Sequence, residues 1–256
     1  MSREITVTLT DQGRALLAEA AGTFMFISIG AGAVVAHEMT GGLVGLVGIA
    51  LASGLALAVA VSTFGAISGA HFNPAVTFGL WVAGKHPRDR VLTYWAAQIA
   101  GALAAGIFLR IAFGHAQQTG SVALFGTPGL APGLDPLTAV FIELVLTVFL
   151  LWAVFGTAVS PNAPRIAGFG IGLVYSADIL IGGPLTGAAM NPARWIGPAA
   201  AAGHFDDWYV YWTGPLLGGA LAGLSYKYFF ASEVEREPIV VAAPEVPPDK
   251  ERTQRI

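Results

Sequence analysis

The chain has 256 residues, of which 55% are hydrophobic and only 11% are charged. Soluble domains carry about 25% charged residues, so this composition excludes a soluble globular protein and predicts an integral membrane protein. The net charge of −3 comes with no basic patch for nucleic acid. The absence of cysteine excludes disulfides, thiolate metal sites and cysteine nucleophiles.

Taken in chain order, residues 1–14 are polar and predict a short N-terminal segment on the cytoplasmic side. The first apolar run lacks a small-residue cleavage site, so we expect no removable signal peptide. Residues 231–256 are rich in proline and charge and predict a disordered cytoplasmic tail. Between them lie six apolar runs, most of them long enough to cross a bilayer core of about 30 Å, at 15–37, 43–67, 91–113, 137–160, 166–183 and 208–230.

The tripeptide Asn-Pro-Ala occurs twice within apolar sequence, at 73–75 and 191–193. A helix should not run through proline, which lacks a backbone N–H, but a helix can begin there with asparagine as its cap. We therefore expect two short helices at 74–81 and 192–201. Each is about half the length needed to cross the bilayer core. Such half-helices are tolerated at membrane depth only where they line a cavity.

The two halves of the chain repeat one another. Glu19 and Thr23 in the first run match Glu143 and Thr147 in the fourth, and the two Asn-Pro-Ala motifs lie 118 residues apart. Three spans per half is an odd number, so the second half must be inverted. The expected fold class is an all-α membrane protein with six transmembrane helices and two half-helices in an inverted 3+3 repeat. The channel domain would cover 15–230, with repeats at about 15–113 and 137–230.

Lysine and arginine are unevenly distributed between the predicted loops. The loops at 37–43, 114–136 and 203–207 contain neither residue. The positive-inside rule therefore predicts both termini on the cytoplasmic side, and the short loops and lack of cysteine favour a prokaryotic plasma (inner) membrane. The basic residues assigned to the cytoplasmic side are Arg3, Arg14, Lys85, Arg88, Arg90, Arg165, Lys227, Arg236, Lys250, Arg252 and Arg255.

Paired Asn-Pro-Ala motifs within inverted three-helix repeats resemble the major intrinsic protein family, the aquaporins and glycerol facilitators. The resemblance covers about residues 15–230. It implies a pore without catalytic residues, cofactor or metal, in a homotetramer with one pore per subunit. It also implies amide donors and two positive helix N-termini at the pore centre, which would repel cations and protons. The residues assigned to this centre are Asn73, Pro74, Ala75, Asn191, Pro192 and Ala193.

The resemblance also assigns a selectivity filter by distance from the motifs, to Ser53, Ile179, Ala188 and Arg194. Strict water channels of the family have a bulky aromatic residue and a histidine at the first two positions. Ser53 and Ile179 therefore predict a wider pore for water and for neutral solutes such as ammonia, hydrogen peroxide, urea or glycerol. The resemblance implies pore-lining backbone carbonyls at Gly69, Ala70, His71, Gly187, Ala188 and Ala189.

Several polar residues within the spans allow two interpretations. Glu19 and Glu143 are either proton-relay groups or, as we favour, acceptors for the backbone of the re-entrant loops. His71 is either a pH gate or ligand, or a packed hydrogen-bonding residue. Asp178 either faces away from the pore or lies at its mouth and affects cations. Trp195, where water channels commonly have serine, has no physical explanation in the sequence.

Other functions remain open at this point. The nearest alternative is a glycerol or small-solute facilitator with water as the secondary substrate. A secondary transporter would share inverted repeats, but it would need a buried ionisable pair or a cation site where this chain has amides and helix N-termini. An intramembrane enzyme is disfavoured, because the apolar runs show no Ser/His, paired Asp or His-x-x-x-His constellation.

Overall fold

A computed structural model describes residues 10–120, 124–164 and 166–232, which consist of helices and their connections and contain no strand. The predicted basic residues at 3, 165, 236, 250, 252 and 255, and nearly all of the predicted tail, lie outside the described residues. The helices are α1 Asp11–Met39, α2 Gly45–Ser68, α3 Pro74–Val82, α4 Val91–Gln118, α5 Pro136–Val154, α6 Ala167–Thr186, α7 Pro192–Ala202 and α8 Val210–Ser225.

The long helices match the predicted spans. Five of those in the described ranges are long and apolar enough to cross a membrane. The remaining one, α8, has 16 residues and continues directly into a π-helical turn, Tyr226–Phe230. Outward-facing side chains are apolar, such as Leu92 at 73% and Ile111 at 79% exposure, as a surface in lipid requires. The predicted all-α membrane fold is confirmed.

Both half-helices begin where the sequence predicts. Asn73 accepts the Ala75 N–H and Asn191 accepts the Ala193 N–H, each at 2.8 Å, with proline at the first helical position. Each short helix extends one residue beyond its predicted end. At the start of the chain, α1 begins within the predicted polar segment, because the side chain of Thr10 caps it.

The two halves of the bundle exchange their short helices. α1 packs against α2 and α4, and α5 packs correspondingly against α6 and α8. α3 packs against α8 and α7 packs against α4, so a long helix of one half holds the short helix of the other. α2 and α6 join the halves. An inverted repeat produces this arrangement, which brings the N-termini of α3 and α7 into the interior.

α2 and α6 cross where both backbones present glycine. A Cβ on Gly172 would lie 2.2 Å from the Gly54 carbonyl oxygen, and a Cβ on Gly54 would lie 2.3 Å from the Gly172 carbonyl oxygen. Small residues allow such close approach of helices in membranes. The crossing sets the distance between Ser53 on α2 and Ile179 on α6, two of the predicted filter residues.

Candidate functional site

Two extended loops, at 69–73 and 187–191, connect α2 to α3 and α6 to α7. Each contains two non-glycine residues in the left-handed region: Ala70 (φ 52°) and Phe72 (φ 51°) in the first, Ala188 (φ 46°) and Met190 (φ 51°) in the second. Such conformations cost of order 1–3 kcal/mol each and persist only where the surroundings hold them. Both loops therefore need strong anchors.

Glu19, buried on α1, anchors the first loop. Its Oε1 accepts the Ser68 hydroxyl at 2.7 Å and the His71 N–H at 2.9 Å. Its Oε2 accepts the Phe72 N–H at 2.7 Å and the side-chain amide of Gln98 at 2.8 Å. The carboxylate thus satisfies two backbone donors in the strained segment, which have no water to bond at membrane depth.

Glu143, buried on α5, anchors the second loop in the same way. Its Oε1 accepts the Thr186 hydroxyl at 2.6 Å and the Ala189 N–H at 2.9 Å, and its Oε2 accepts the Met190 N–H at 2.6 Å. Because these oxygens already bond loop donors, the geometry favours the structural interpretation of both acids over a proton relay.

The two loops meet at Asn73 and Asn191. The Asn73 Nδ2 donates to the Met190 carbonyl at 2.8 Å, and the Asn191 Nδ2 donates to the Phe72 carbonyl at 2.9 Å. The sequence assigned these amides to the pore alone, whereas each one uses a hydrogen to bind the opposite loop. An amide group has two hydrogens, so each asparagine keeps a second one for the cavity that both line.

Two cavities reach the loops from opposite faces of the bundle. The first, of about 530 Å³, is called here the Lys85 cavity, and its lining includes Lys85, Asn73, Asn191, Gly69, Ala70 and His71. The second, of about 230 Å³, is called the Arg194 cavity, and its lining includes Gly187 and all four predicted filter residues, Ser53, Ile179, Ala188 and Arg194. The four predicted filter residues thus share one cavity, and both asparagines line the other. The predicted pore residues that line neither cavity are Pro74, Ala75, Ala189, Pro192 and Ala193.

Arg194 is buried in the first turn of α7 and lines the Arg194 cavity. Its Nη1 donates to the Gly126 carbonyl at 3.0 Å. Gly126 has a φ of 71°, and a Cβ there would lie 2.6 Å from the Ala31 carbonyl oxygen. Only glycine places this carbonyl without strain. Gly126 was not predicted from the sequence, where the signal for it was a glycine- and proline-rich loop between α4 and α5.

Ser53 contributes a small side chain of little polarity to the lining of the Arg194 cavity. Its hydroxyl donates to the Ile49 carbonyl at 2.8 Å within α2, and the residue is only 2% exposed. Back-bonding of this kind uses the serine donor inside its own helix. The free volume beside Ser53 therefore depends on the side chains that surround it.

His71 is packed among polar and aromatic groups. Its Nδ1 lies 3.0 Å from the Thr77 hydroxyl, and its ring packs against those of Tyr94 and His86, with centroids 5.1 Å and 4.8 Å away. His86 belongs to the connection between α3 and α4. Burial lowers the pKa of His86 to about 4, and the adjacent His71 acts in the same direction. The geometry favours a packed histidine.

Trp195 acquires a structural explanation. Its ring stacks on Tyr211 of α8, with centroids 5.6 Å apart and planes 13° apart, and meets Phe205 edge-on. It therefore fills the space between α7 and α8.

Asp178 is buried and is not among the described residues that line either cavity, consistent with a side chain facing away from the pore.

Arg110 was not assigned a role from the sequence. Its Nη1 donates to the Ala201 carbonyl at 2.9 Å, at the last turn of α7. A cation at the negative end of a helix satisfies a free carbonyl and stabilises the helix dipole. The available signal was a charged residue inside the third apolar run.

Comparison with known proteins agrees with this geometry. The sequence model of the family described as "Major intrinsic protein" matches residues 6–226. The chain belongs to the major intrinsic protein family. As a member of this family it is an integral multi-pass membrane channel and not an enzyme, and the resemblance stated from the sequence is confirmed.

Relatives within the major intrinsic protein family are similar over most of their length. The chain is 42% identical to Aquaporin TIP2-1 of Arabidopsis thaliana over 237 residues, covering 90% of this chain and 92% of the relative. It is 43% identical to Aquaporin TIP4-4 of Zea mays over 236 residues, covering 88% and 90%. The X-ray structure of the aquaglyceroporin from Plasmodium falciparum superimposes with a TM-score of 0.78 at 25% identity, covering 86% of this chain and 97% of that one.

Proposed function

We propose that the protein is a passive channel for water and small neutral solutes that excludes ions and protons. The observation that carries the proposal is that Asn73 and Asn191 each bind the opposite loop and both line the Lys85 cavity. The helix N-termini of α3 and α7 place partial positive charge at this point. Arg194 adds a full positive charge at the Arg194 cavity. A cation is repelled there, whereas a neutral molecule finds amide donors and carbonyl acceptors.

The names of the sequence relatives favour water as the principal substrate. The aquaglyceroporin neighbour and the small side chain of Ser53 favour a second candidate, a glycerol or small-solute facilitator with water secondary. Ammonia, hydrogen peroxide, urea and glycerol are the solutes to distinguish. A secondary transporter is less consistent with the site, because its centre offers amides and helix N-termini in place of a cation site.

We also propose a homotetramer with one pore per subunit, in the plasma membrane, with both termini cytoplasmic. Membership of the major intrinsic protein family supports the proposed tetramer. The apolar outward-facing side chains support the membrane setting. The orientation rests on the basic residues near the Lys85 cavity, among them Lys85, Arg88 and Arg90, and on the positive-inside rule.

Stopped-flow light scattering of proteoliposomes tests the channel. Under gradients of an impermeant osmolyte, glycerol, urea or ammonia, we expect water flux well above that of protein-free vesicles, without saturation or ion dependence. At least one larger solute should also exceed the protein-free background. Water flux at background would overturn the proposal. Saturable, ion-dependent flux would indicate a transporter, and fast water flux with every other solute excluded would refute the broader solute range.

Two variants test the filter assignment in the same vesicles. Arg194→Ala removes the charge from the Arg194 cavity and should raise cation and proton leak. Ser53→Phe adds bulk to the same cavity and should reduce the flux of larger solutes more than that of water. Unchanged leak and unchanged solute ratios in both variants would place the filter elsewhere.

A further inference from the structure

We infer that Tyr175 on α6, which lies outside the four predicted filter positions, sets the size limit of the pore. The inference rests on the proposed channel function. Among the described residues that line the Lys85 cavity and the Arg194 cavity, Tyr175 alone lines both. The two cavities therefore adjoin at its side chain, and a solute that moves from one to the other must pass it.

The Tyr175 side chain is held across this junction. Its hydroxyl lies 3.5 Å from the Ala189 carbonyl in the second loop and interacts with the Arg194 guanidinium. Its ring meets that of Phe26 on α1 edge-on, with centroids 5.3 Å apart and planes at 77°. Tyr175 is only 1% exposed. Contacts to a loop, to the filter arginine and to another helix leave the ring little freedom to move aside.

Tyr175 and Ser53 line the same cavity, the Arg194 cavity. Tyr175 comes four residues before Ile179, and residues four apart lie on the same face of a helix. Tyr175 therefore lies one turn of α6 deeper than the predicted filter residue Ile179, on the same face of the helix.

The chemistry of tyrosine suits a narrow passage for water. A water molecule can exchange hydrogen bonds with the phenolic hydroxyl, the Ala189 carbonyl and Arg194 while it passes the ring edge. Ammonia and hydrogen peroxide are close to water in size and should also pass. Urea and glycerol are larger and must displace a ring that is packed on three sides. Tyr175 thus divides the proposed solutes into a fast and a slow group.

The test is the ratio of glycerol to water permeability in proteoliposomes. Tyr175→Val removes the ring, and we expect the ratio to rise about tenfold, the discrimination typical of a steric pocket. Tyr175→Phe keeps the ring and removes the hydroxyl, so its ratio should stay near that of the wild type. Leu173→Val is the matched control, because Leu173 is 51% exposed on the outer side of the same helix. It should leave both permeabilities unchanged.

The outcomes separate this inference from the proposed function. A wild-type protein without water flux refutes the channel itself. A wild type that conducts water, with an unchanged glycerol ratio in Tyr175→Val, refutes the role of Tyr175 alone. If Tyr175→Val does not insert into vesicles, Tyr175→Trp provides the opposite change, and its larger ring should lower water flux per inserted protein. Water flux in Tyr175→Trp equal to that of the wild type would also overturn the inference.

Discussion

Single buried side chains hold the pore backbone in conformations that it would not adopt alone. Glu19 and Glu143 each accept two loop N–H groups and one hydroxyl, and each supports a loop with two left-handed non-glycine residues. The acids are therefore part of the pore although neither lines it. Glu19 also accepts a hydrogen bond from Gln98, so the two anchors are similar but not identical.

Glu19→Gln should destabilise the protein strongly, although the substitution changes the size of the side chain very little. An amide offers one acceptor oxygen where the carboxylate offers two, and its NH2 group faces other donors. Each buried donor left unsatisfied costs about 1–3 kcal/mol. Thermal unfolding in detergent should show a lower Tm for Glu19→Gln than for Glu38→Gln, the control at the exposed end of the same helix. Equal Tm values would reopen the proton-relay interpretation.

His86 should make the stability of the protein depend on pH. Burial lowers its pKa to about 4, so the folded protein keeps it neutral, whereas an unfolded histidine binds a proton below about pH 6.5. The unfolded state then binds more protons, and stability is lost as the pH falls from about 6.5 towards 4. The Tm of the wild type should fall more between pH 7.5 and pH 5 than that of His86→Gln. An equal fall in both proteins would contradict this assignment.

At the scale of helices, the site depends on where helix ends and helix crossings lie. α3 and α7 present their N-termini at the centre because proline and asparagine start them there, and Arg110 completes the far end of α7. The α2–α6 crossing at Gly54 and Gly172 sets the width between Ser53 and Ile179. A change in this backbone contact would therefore move the filter residues relative to one another.

Gly172→Ala should destabilise the bundle. The added Cβ would lie 2.2 Å from the Gly54 carbonyl oxygen, which is backbone and cannot rotate away, so α2 and α6 must separate. Overpacking of this kind costs about 1–3 kcal/mol. Gly65→Ala on α2 is the control, because nothing lies within 4 Å of its added Cβ. We expect a lower Tm for Gly172→Ala only, and a loss of the same size in Gly65→Ala would show that the crossing is not the cause.

At the scale of the molecule, the exchange of short helices makes the two halves depend on one another. α3 is held by α8 and α7 by α4, and the asparagines bind the opposite loops. A complete pore therefore requires both halves. The Lys85 cavity is the larger of the two in volume, and the Arg194 cavity is the smaller.

The absence of cysteine gives a prediction for the whole channel. Mercurials block channels by reacting with thiols, and this chain has none. Water flux in proteoliposomes should therefore be the same before and after mercuric chloride. Ser53→Cys adds a thiol at the Arg194 cavity with almost no change in size, and its flux should become sensitive. Inhibition of the wild type would contradict the prediction, and an insensitive Ser53→Cys would place Ser53 away from the conducting path.

The sequence by itself determined the membrane class, the spans, the starts of both half-helices and the inverted repeat. These features follow from composition and from local rules, since proline interrupts a helix and asparagine caps one wherever they occur. Resemblance to the family then assigned the predicted pore residues, of which the four filter positions line the Arg194 cavity and both asparagines line the Lys85 cavity. Element ends differed by a few residues, because caps such as Thr10 extend a helix beyond its apolar run.

Only the tertiary structure decided which groups complete the site. The Gly126 carbonyl on Arg194, His86 beside His71 and Tyr175 across the junction of the cavities all join residues from different elements. No local pattern predicts such contacts, because they depend on how whole helices and loops pack. The proposed size limit of the pore belongs to this second group, because Ser53 and Tyr175 come from different helices and line one cavity.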